Sequence, residues 1–309
     1  MNSDSHIQAS SDNSPKSKKF EAIDLLCESR FPIYKVQSKQ TNNFYALKFF
    51  PYEDKKISPF YLNESRFFRL SHKNIIKYYV REDHDITQIE SKEVEFSYLM
   101  MELAPYGDFT GLLMENKFPS DEKLVRTYFR QLVEGVEYLH SNGTYHLDLK
   151  LDNLLLGADF QLKIADFDSS YKSGDAMIMA EGTKNYRAPE LKGQCLLDPA
   201  AADVYSMGII LFLLLMRCFP YTETLTETNA DFLWKYLLDD YEKFWSLHDN
   251  DGVTSSFKRL FRSMTMAKPS ERATIREIKY SAWYNGPVYS KFELYNIMSQ
   301  VVNGKKKTL

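Results

Sequence analysis

A chain of 309 residues is long enough for two lobes or one large domain, and 44% hydrophobic with 26% charged residues is the balance of an ordinary soluble globular protein. A formal net charge of −3 gives no reason to expect nucleic acid as a partner. Three widely spaced cysteines, Cys27, Cys195 and Cys218, form no CxxC pair, which argues against a disulfide framework or a zinc site and for a reducing compartment.

In chain order, residues 1–19 are polar, with almost no apolar side chains, and are expected to be a disordered tail rather than a secretory signal. From Phe20 to Leu103 the pattern is strand-like, with short runs such as Phe44-Tyr45-Ala46-Leu47-Lys48-Phe49 and one helical segment near Pro59 to Leu70. The acidic stretch from Glu82 to Glu95 reads as a loop or hairpin turn. After Gly107 the character becomes helical. Pro119-Ser120-Asp121-Glu122 predicts a helix start with a Ser cap, and Val125, Phe129, Leu132, Val136 and Leu139 mark one apolar face behind it. The runs Leu154–Leu156 and Leu162–Ala165 predict a small hairpin. The longest apolar run, Met207–Met216, is about half the ~20 residues of a membrane span, so it reads as a buried core helix. No membrane association is expected, and a cytoplasmic location is. Phe292–Val302 predicts a terminal helix, and Lys305-Lys306-Lys307 is too short a run to carry a targeting argument. Strands followed by helices predict an α+β fold in two lobes, residues 20–103 and 104–284, with an extension over 285–309.

The chemistry concentrates in two short segments. His146-Leu147-Asp148-Leu149-Lys150-Leu151-Asp152-Asn153 places two carboxylates, an amide and a cation in one loop, and an apolar strand then delivers Asp166-Phe167-Asp168. Phosphoryl transfer needs metal ions held by carboxylate and amide oxygens, a cation near the phosphates and an acceptor that orients the attacking hydroxyl. Asn153 and Asp166, converging across the hairpin, suit Mg²⁺, which takes few protein oxygens and keeps its waters. Lys150 balances the charge of the group in flight. His146 reads instead as a buried structural residue beneath Phe167.

With these segments the chain resembles the eukaryotic protein kinase family from about Phe20 to Trp283, nearest the calcium/calmodulin- and AMP-regulated group. The resemblance implies a bilobal kinase fold, with a small β-rich N-lobe and a larger helical C-lobe. It implies Asp148 as catalytic base, Asn153 and Asp166 as metal ligands, and Lys150 as the lysine typical of Ser/Thr kinases. Tyr45-Ala46-Leu47-Lys48 matches the strand whose lysine grips the ATP phosphates, and Glu64 matches the glutamate that pairs with it. Met101-Glu102-Leu103-Ala104 matches the hinge that binds adenine, with Met101 as gatekeeper and Asp108 near the ribose. Ile33 and Ala46 above and Leu155 below are implied to sandwich the adenine. Gly182 to Glu190 matches the end of the activation segment, with Thr183 aligning Asp148 and Lys150. Asp203 to Gly208 opens the central buried helix, and Arg272 is placed to pair with Glu190. The implied activity uses ATP and Mg²⁺, with protein substrates phosphorylated on Ser or Thr.

Three positions depart from the family pattern. The phosphate loop Leu26-Cys27-Glu28-Ser29-Arg30-Phe31-Pro32-Ile33 has no glycine, and the first glycine of the chain is Gly107. Leu147 stands where an arginine usually precedes the catalytic aspartate, so a phosphate on the activation loop is expected to matter little. Asp168 replaces the glycine of Asp-Phe-Gly, and it could limit flipping of the loop or add a carboxylate beside the metal. The missing glycines also fit a second reading, a weak or inactive pseudokinase acting as a scaffold or allosteric module. Retention of Asp148, Asn153 and Asp166 together favours the enzyme. A P-loop NTPase is excluded because GxxxxGK[ST] does not occur. Asp108 and Asp152 also fit two other roles, accepting a basic side chain of a peptide substrate or lying solvated at the surface.

Overall fold

The short apolar runs between residues 20 and 101 form five strands and one helix in a computed structural model: β1 (Phe20–Cys27), β2 (Ile33–Ser38), β3 (Phe44–Pro51), α1 (Pro59–Ser65), β4 (Tyr78–Ile89) and β5 (Lys92–Met101). The structure describes residues 15, 17–89, 92–119, 121–175, 182–192, 198–221, 232–248 and 252–303. Most of the expected N-terminal tail, the end of the activation segment up to Glu181, Cys195 and Lys305–Lys307 lie outside the described residues. The chain divides into two units, one made of residues up to Ser71 plus Ile76–Ala104, the other of His72–Ile75 plus Pro105 onward.

In the first unit the strands form one antiparallel sheet in the order β1-β2-β3-β5-β4. Phe20, Val36, Leu47, Phe49, Phe96, Tyr98 and Met100 make its core cluster. The acidic stretch, expected as a loop or hairpin turn, is mostly strand on the two arms of an antiparallel pair: Asp85 pairs with Phe96, Thr87 with Val94 and Ile89 with Lys92. Glu82, Asp83 and Asp85 fall on β4, an edge strand with a register shift between Glu82 and Asp85, where charge and a bulge keep the open edge from pairing with another chain; Glu93 and Glu95 fall on β5 inside the sheet. Order also begins before Phe20. Ser17 is buried, its hydroxyl donates to Asp85 Oδ2 at 3.2 Å, and its carbonyl accepts from Lys39 Nζ at 2.8 Å.

The second unit carries α2 (Phe109–Met114), α3 (Glu122–Ser141), β6 (Thr144–Tyr145), β7 (Leu154–Leu156), β8 (Leu162–Ile164) and β9 (Tyr171–Lys172). Then follow α4 (Pro199–Met216), α5 (Phe232–Asp239), α6 (Tyr241–Leu247), α7 (Ser255–Met264), α8 (Ile275–Tyr280) and α9 (Lys291–Asn303). The predicted apolar face of α3 is buried at Val125, Phe129, Leu132, Val136 and Leu139. Its cap is Asp121, whose carboxylate accepts from the Lys123 N–H at 2.9 Å, rather than the expected Ser120, which lies outside the described residues. Gly135 sits mid-helix because a Cβ there would meet Ile164 Cδ1 at 2.7 Å and the Asn74 carbonyl at 3.3 Å. That close approach is how residues 72–75 join this unit: the Asn74 amide donates to the Leu162 carbonyl at 2.9 Å, and Ile75 bridges to Ile164.

Among the described residues α4 is the one helix long and apolar enough to cross a membrane, and its residues 201–214 are all buried inside the unit. The segment after Trp283 packs on α3. Arg126 donates to the Trp283 carbonyl at 2.6 Å and to that of Pro287 at 2.9 Å, Tyr289 Oη donates to Asp121 at 2.5 Å, and Leu294 and Met298 of α9 are buried.

Arg272 has a fully buried side chain in a two-pronged pair with Glu190, with Nη2 to Oε2 at 2.6 Å. It also donates to the carbonyls of Met266, Ala267 and Ala201. Arg272→Met strands those acceptors, so stability should fall by about 3–5 kcal/mol in urea unfolding followed by tryptophan fluorescence.

Candidate functional site

In the first unit, β3 is buried continuously from Ala46 to Phe50, so Lys48 has its cation in apolar surroundings. Such a charge must be paired. Lys48 Nζ lies 2.7 Å from Glu64 Oε2, and the other carboxylate oxygen accepts from Tyr78 Oη at 2.6 Å. Both side chains of the pair are at most 5% exposed. α1 carries Glu64 inward beside Tyr61, whose hydroxyl donates to Asp83 Oδ1 at 2.6 Å. Ladder register puts Ile33 opposite Lys48, and Ala46 opposite Met101. The Glu102 N–H donates to the Lys77 carbonyl at 2.8 Å, and the Ala104 N–H makes no hydrogen bond among the described residues. Tyr78 is a member of this cluster that sequence reasoning missed, because nothing local distinguishes it from its neighbour Tyr79.

In the second unit, the loop after β6 hangs from Asp203 in α4. This fully buried carboxylate accepts from the backbone N–H groups of His146 (2.9 Å) and Leu147 (2.8 Å), and lies 2.8 Å from His140 Nε2. Leu147 holds a left-handed φ of 61°, costly for a branched side chain and sustained here by the two fixed N–H groups. The reading of Asp203 as only a helix-opening residue missed this anchoring. His146 has no nitrogen left for acid–base work: Nδ1 accepts from the Asp148 N–H at 3.3 Å and Nε2 donates to the Ala165 carbonyl at 3.0 Å. Its ring lies 5.2 Å from that of Phe167.

The loop holds Asp148 from several sides. Oδ1 accepts from the N–H and the hydroxyl of Thr183, both at 2.7 Å, and Oδ2 accepts from Lys150 Nζ at 2.8 Å. Lys150 also donates to Thr183 Oγ1 at 3.0 Å. Burial works against the charge on Lys150, yet the carboxylates of Asp148, Asp166 and Asp152 hold its pKa above the ordinary lysine value, so it stays cationic across the neutral and mildly alkaline range. Gly182, at φ 66°, lets the chain reach Asp148, because a Cβ there would meet the Leu147 carbonyl at 3.0 Å.

The hairpin brings the second half of the constellation alongside. Leu154 pairs with Ile164, and the Ala165 N–H donates to the Asn153 carbonyl at 2.9 Å. Asn153 is nine-tenths buried; its amide NH₂ donates to the Asp148 carbonyl at 2.9 Å, while its Oδ1 accepts no hydrogen bond among the described residues. Asp166 takes a left-handed φ of 68°, whereas Asp168 has no positive φ, so position 168 does not call on glycine's freedom in this conformation. Carboxylate oxygens of Asp166 and Asp168 lie within 4.8 Å of one another, and Ser169 Oγ donates to Asp168 Oδ1 at 3.0 Å. Ser170 is buried, with its hydroxyl donating to the His146 carbonyl at 3.3 Å. Asp108 caps α2 by accepting from the Gly111 N–H at 2.7 Å; burial raises its pKa, against the pull of that N–H. Leu155, half-buried in β7, pairs with Lys163 and bridges to Asp108.

The buried pair in the first unit yields a direct test. Lys48→Met leaves the Glu64 carboxylate without its cation and should cost about 3–5 kcal/mol of stability in chemical denaturation. Lys48→Met with Glu64→Gln should recover part of that loss, and simple addition of the two single effects would refute coupling.

The chain is 31% identical over 220 residues, 70% of its length and 46% of the relative's, to CBL-interacting serine/threonine-protein kinase 26 of Arabidopsis thaliana. It is 34% identical over 194 residues, 60% of its length and 37% of the relative's, to CBL-interacting protein kinase 26 of Oryza sativa subsp. japonica. A shorter match, 44% over 139 residues, covers 43% of the chain and 22% of the probable serine/threonine-protein kinase RTK1 of Saccharomyces cerevisiae. The chain thus spans less than half the length of each of these relatives. The family model described as protein kinase domain matches residues 32–284, and the chain belongs to the protein kinase family.

Proposed function

We propose that this chain is a serine/threonine protein kinase that transfers the γ-phosphoryl group of ATP to Ser or Thr hydroxyls of other proteins. The observation that carries the reading is the Asp148 carboxylate, held by Thr183 and Lys150 beside Asn153, whose amide NH₂ donates to the Asp148 carbonyl. The Asn153 amide oxygen and the carboxylate of Asp166 are the donor types that a hard divalent cation takes, and Mg²⁺ in particular accepts few protein ligands. When bound, the ion would neutralise charge on the phosphate oxygens.

The chain's own groups supply the rest. Lys48, kept in place by Glu64 and Tyr78, would hold the α- and β-phosphates. Asp148 orients the acceptor hydroxyl and takes its proton, with one oxygen steadied by Thr183. Lys150, cationic and bonded to both Asp148 and Thr183, stands beside the transferring group; together these two residues favour Ser or Thr as acceptor. The Glu102 carbonyl and the Ala104 N–H would bind adenine, with Ile33, Ala46 and Met101 as the apolar side chains of the first unit that pack on it.

Residues 169–175 are held by packing. Ser170 is tied to the His146 carbonyl, β9 pairs with β6, and Leu147 takes the place of a phosphate-binding arginine. Changing Ser169, Ser170 and Ser173 together to Ala should keep the rate within about tenfold of the parent, and total loss would show that phosphorylation there is required.

The reading itself is tested with purified protein, labelled ATP, Mg²⁺ and a generic Ser/Thr substrate. Transfer should occur, and Asp148→Asn should lower kcat by about 100-fold or more. ATP binding with no transfer would favour the scaffold reading that the glycine-free loop suggests.

A further inference from the structure

The turn between β1 and β2, in a loop expected to be rich in glycine, carries Phe31, and the ring is buried at 5% exposure. It packs 4.8 Å from the ring of Phe50 and 5.3 Å from that of Phe60. Those two residues sit at telling places. Phe50 follows Lys48 by two positions on β3, so it lies on the same face of the strand. Phe60 precedes Glu64 by four positions on α1, so both share one helical face. One phenyl ring therefore bridges the strand of the lysine and the helix of the glutamate. Lys48 Nζ itself lies 5.3 Å from the Phe50 centroid and 5.9 Å from that of Phe31.

The turn is fastened around this ring. The Ser29 hydroxyl donates to the Phe31 carbonyl at 2.9 Å, and the Phe49 N–H donates to the Pro32 carbonyl at 3.0 Å. The Arg30 guanidinium stacks over Phe60 at 4.4 Å and over Phe31 at 5.2 Å, which ties the turn to α1 a second time. The helix needs such support. It has seven residues and no side-chain cap at Ser58, and a helix that short does not persist on its own backbone bonds.

We infer that Phe31 is a positioning residue: it latches α1 against β3 and so keeps the Lys48–Glu64 pair assembled without any external activator. This inference rests on the proposed role of that pair in holding the ATP phosphates. It also accounts for the missing glycine, since a glycine at this position would free the backbone but remove the bridge.

The test is hydrogen exchange of the 59–65 segment in the full chain, run beside nucleotide affinity measured with a fluorescent ATP analogue and Mg²⁺. Phe31→Gly should speed exchange in 59–65 by on the order of tenfold and weaken nucleotide binding, while β3 and β5 amides keep their protection. Phe31→Leu, which restores apolar volume, should recover most of both effects. Phe60→Ala cuts the same bridge at a half-buried helix position, and it carries the test if Phe31→Gly does not fold. Unchanged exchange in 59–65 would overturn the latch, as would exchange that rises equally across β3 and β5. Tighter nucleotide binding in Phe31→Gly would also overturn it, because the ring would then be an obstruction. A parent protein that transfers no phosphate would defeat the kinase reading yet leave the exchange result standing.

Discussion

The carboxylate of Asp203 is the contact on which the second unit's site depends. It is fully buried, and a buried carboxylate is tolerable only when donors surround it. The donors are the consecutive backbone N–H groups of His146 and Leu147, with His140 alongside. Supplying them forces Leu147 into a left-handed conformation that its side chain resists. The turn so made aims Asp148, Lys150 and Asn153 to one side, where Thr183 and the hairpin meet them. Electrostatic satisfaction of one core residue is thus converted into the geometry of a loop with few regular hydrogen bonds of its own.

A second buried charge organises the first unit by different means. Lys48 and Glu64 come from a strand and a short helix, and their burial would be costly without Tyr78 and a ring of aromatic side chains. The two sites use opposite strategies. Asp203 is satisfied chiefly by backbone N–H groups, whereas the Lys48–Glu64 pair is bordered by the side chains of Phe31 and Phe50 at the lysine and Tyr78 at the glutamate. Departures from the family pattern are therefore tolerated differently in the two units. Leu147 in place of arginine leaves the backbone anchoring of its loop intact. Loss of glycine before β2 introduces a side chain that the fold must bury, and does bury.

Asp168 shows how a substitution at a glycine position can be neutral for the backbone. The left-handed residue in this segment is Asp166, two positions earlier, so residue 168 keeps an ordinary conformation while its carboxylate accepts from Ser169. The neighbouring segment is steadied by short-range contacts, above all the buried Ser170 hydroxyl.

Spacing and periodicity alone determined a good deal of this protein: the strand-rich first unit, the buried face of α3, the β7–β8 hairpin, and the gathering of Asp148, Lys150, Asn153 and Asp166. These features are local, because a period of two or 3.6 residues and a turn of fixed length hold wherever the segment lands. Tertiary structure alone decided the rest. It made strands of the acidic residues 82–89 and 92–95, assigned residues 72–75 to the second unit through Asn74 and Gly135, and joined Ser17 to Asp85 of β4. It also chose Tyr78 over Tyr79 as partner of Glu64, Asp203 as anchor of the loop, and Phe31 as the ring between Phe50 and Phe60. Each of these joins residues distant in the chain, and which donor reaches a buried carboxylate is settled only when the packing that excludes water is complete.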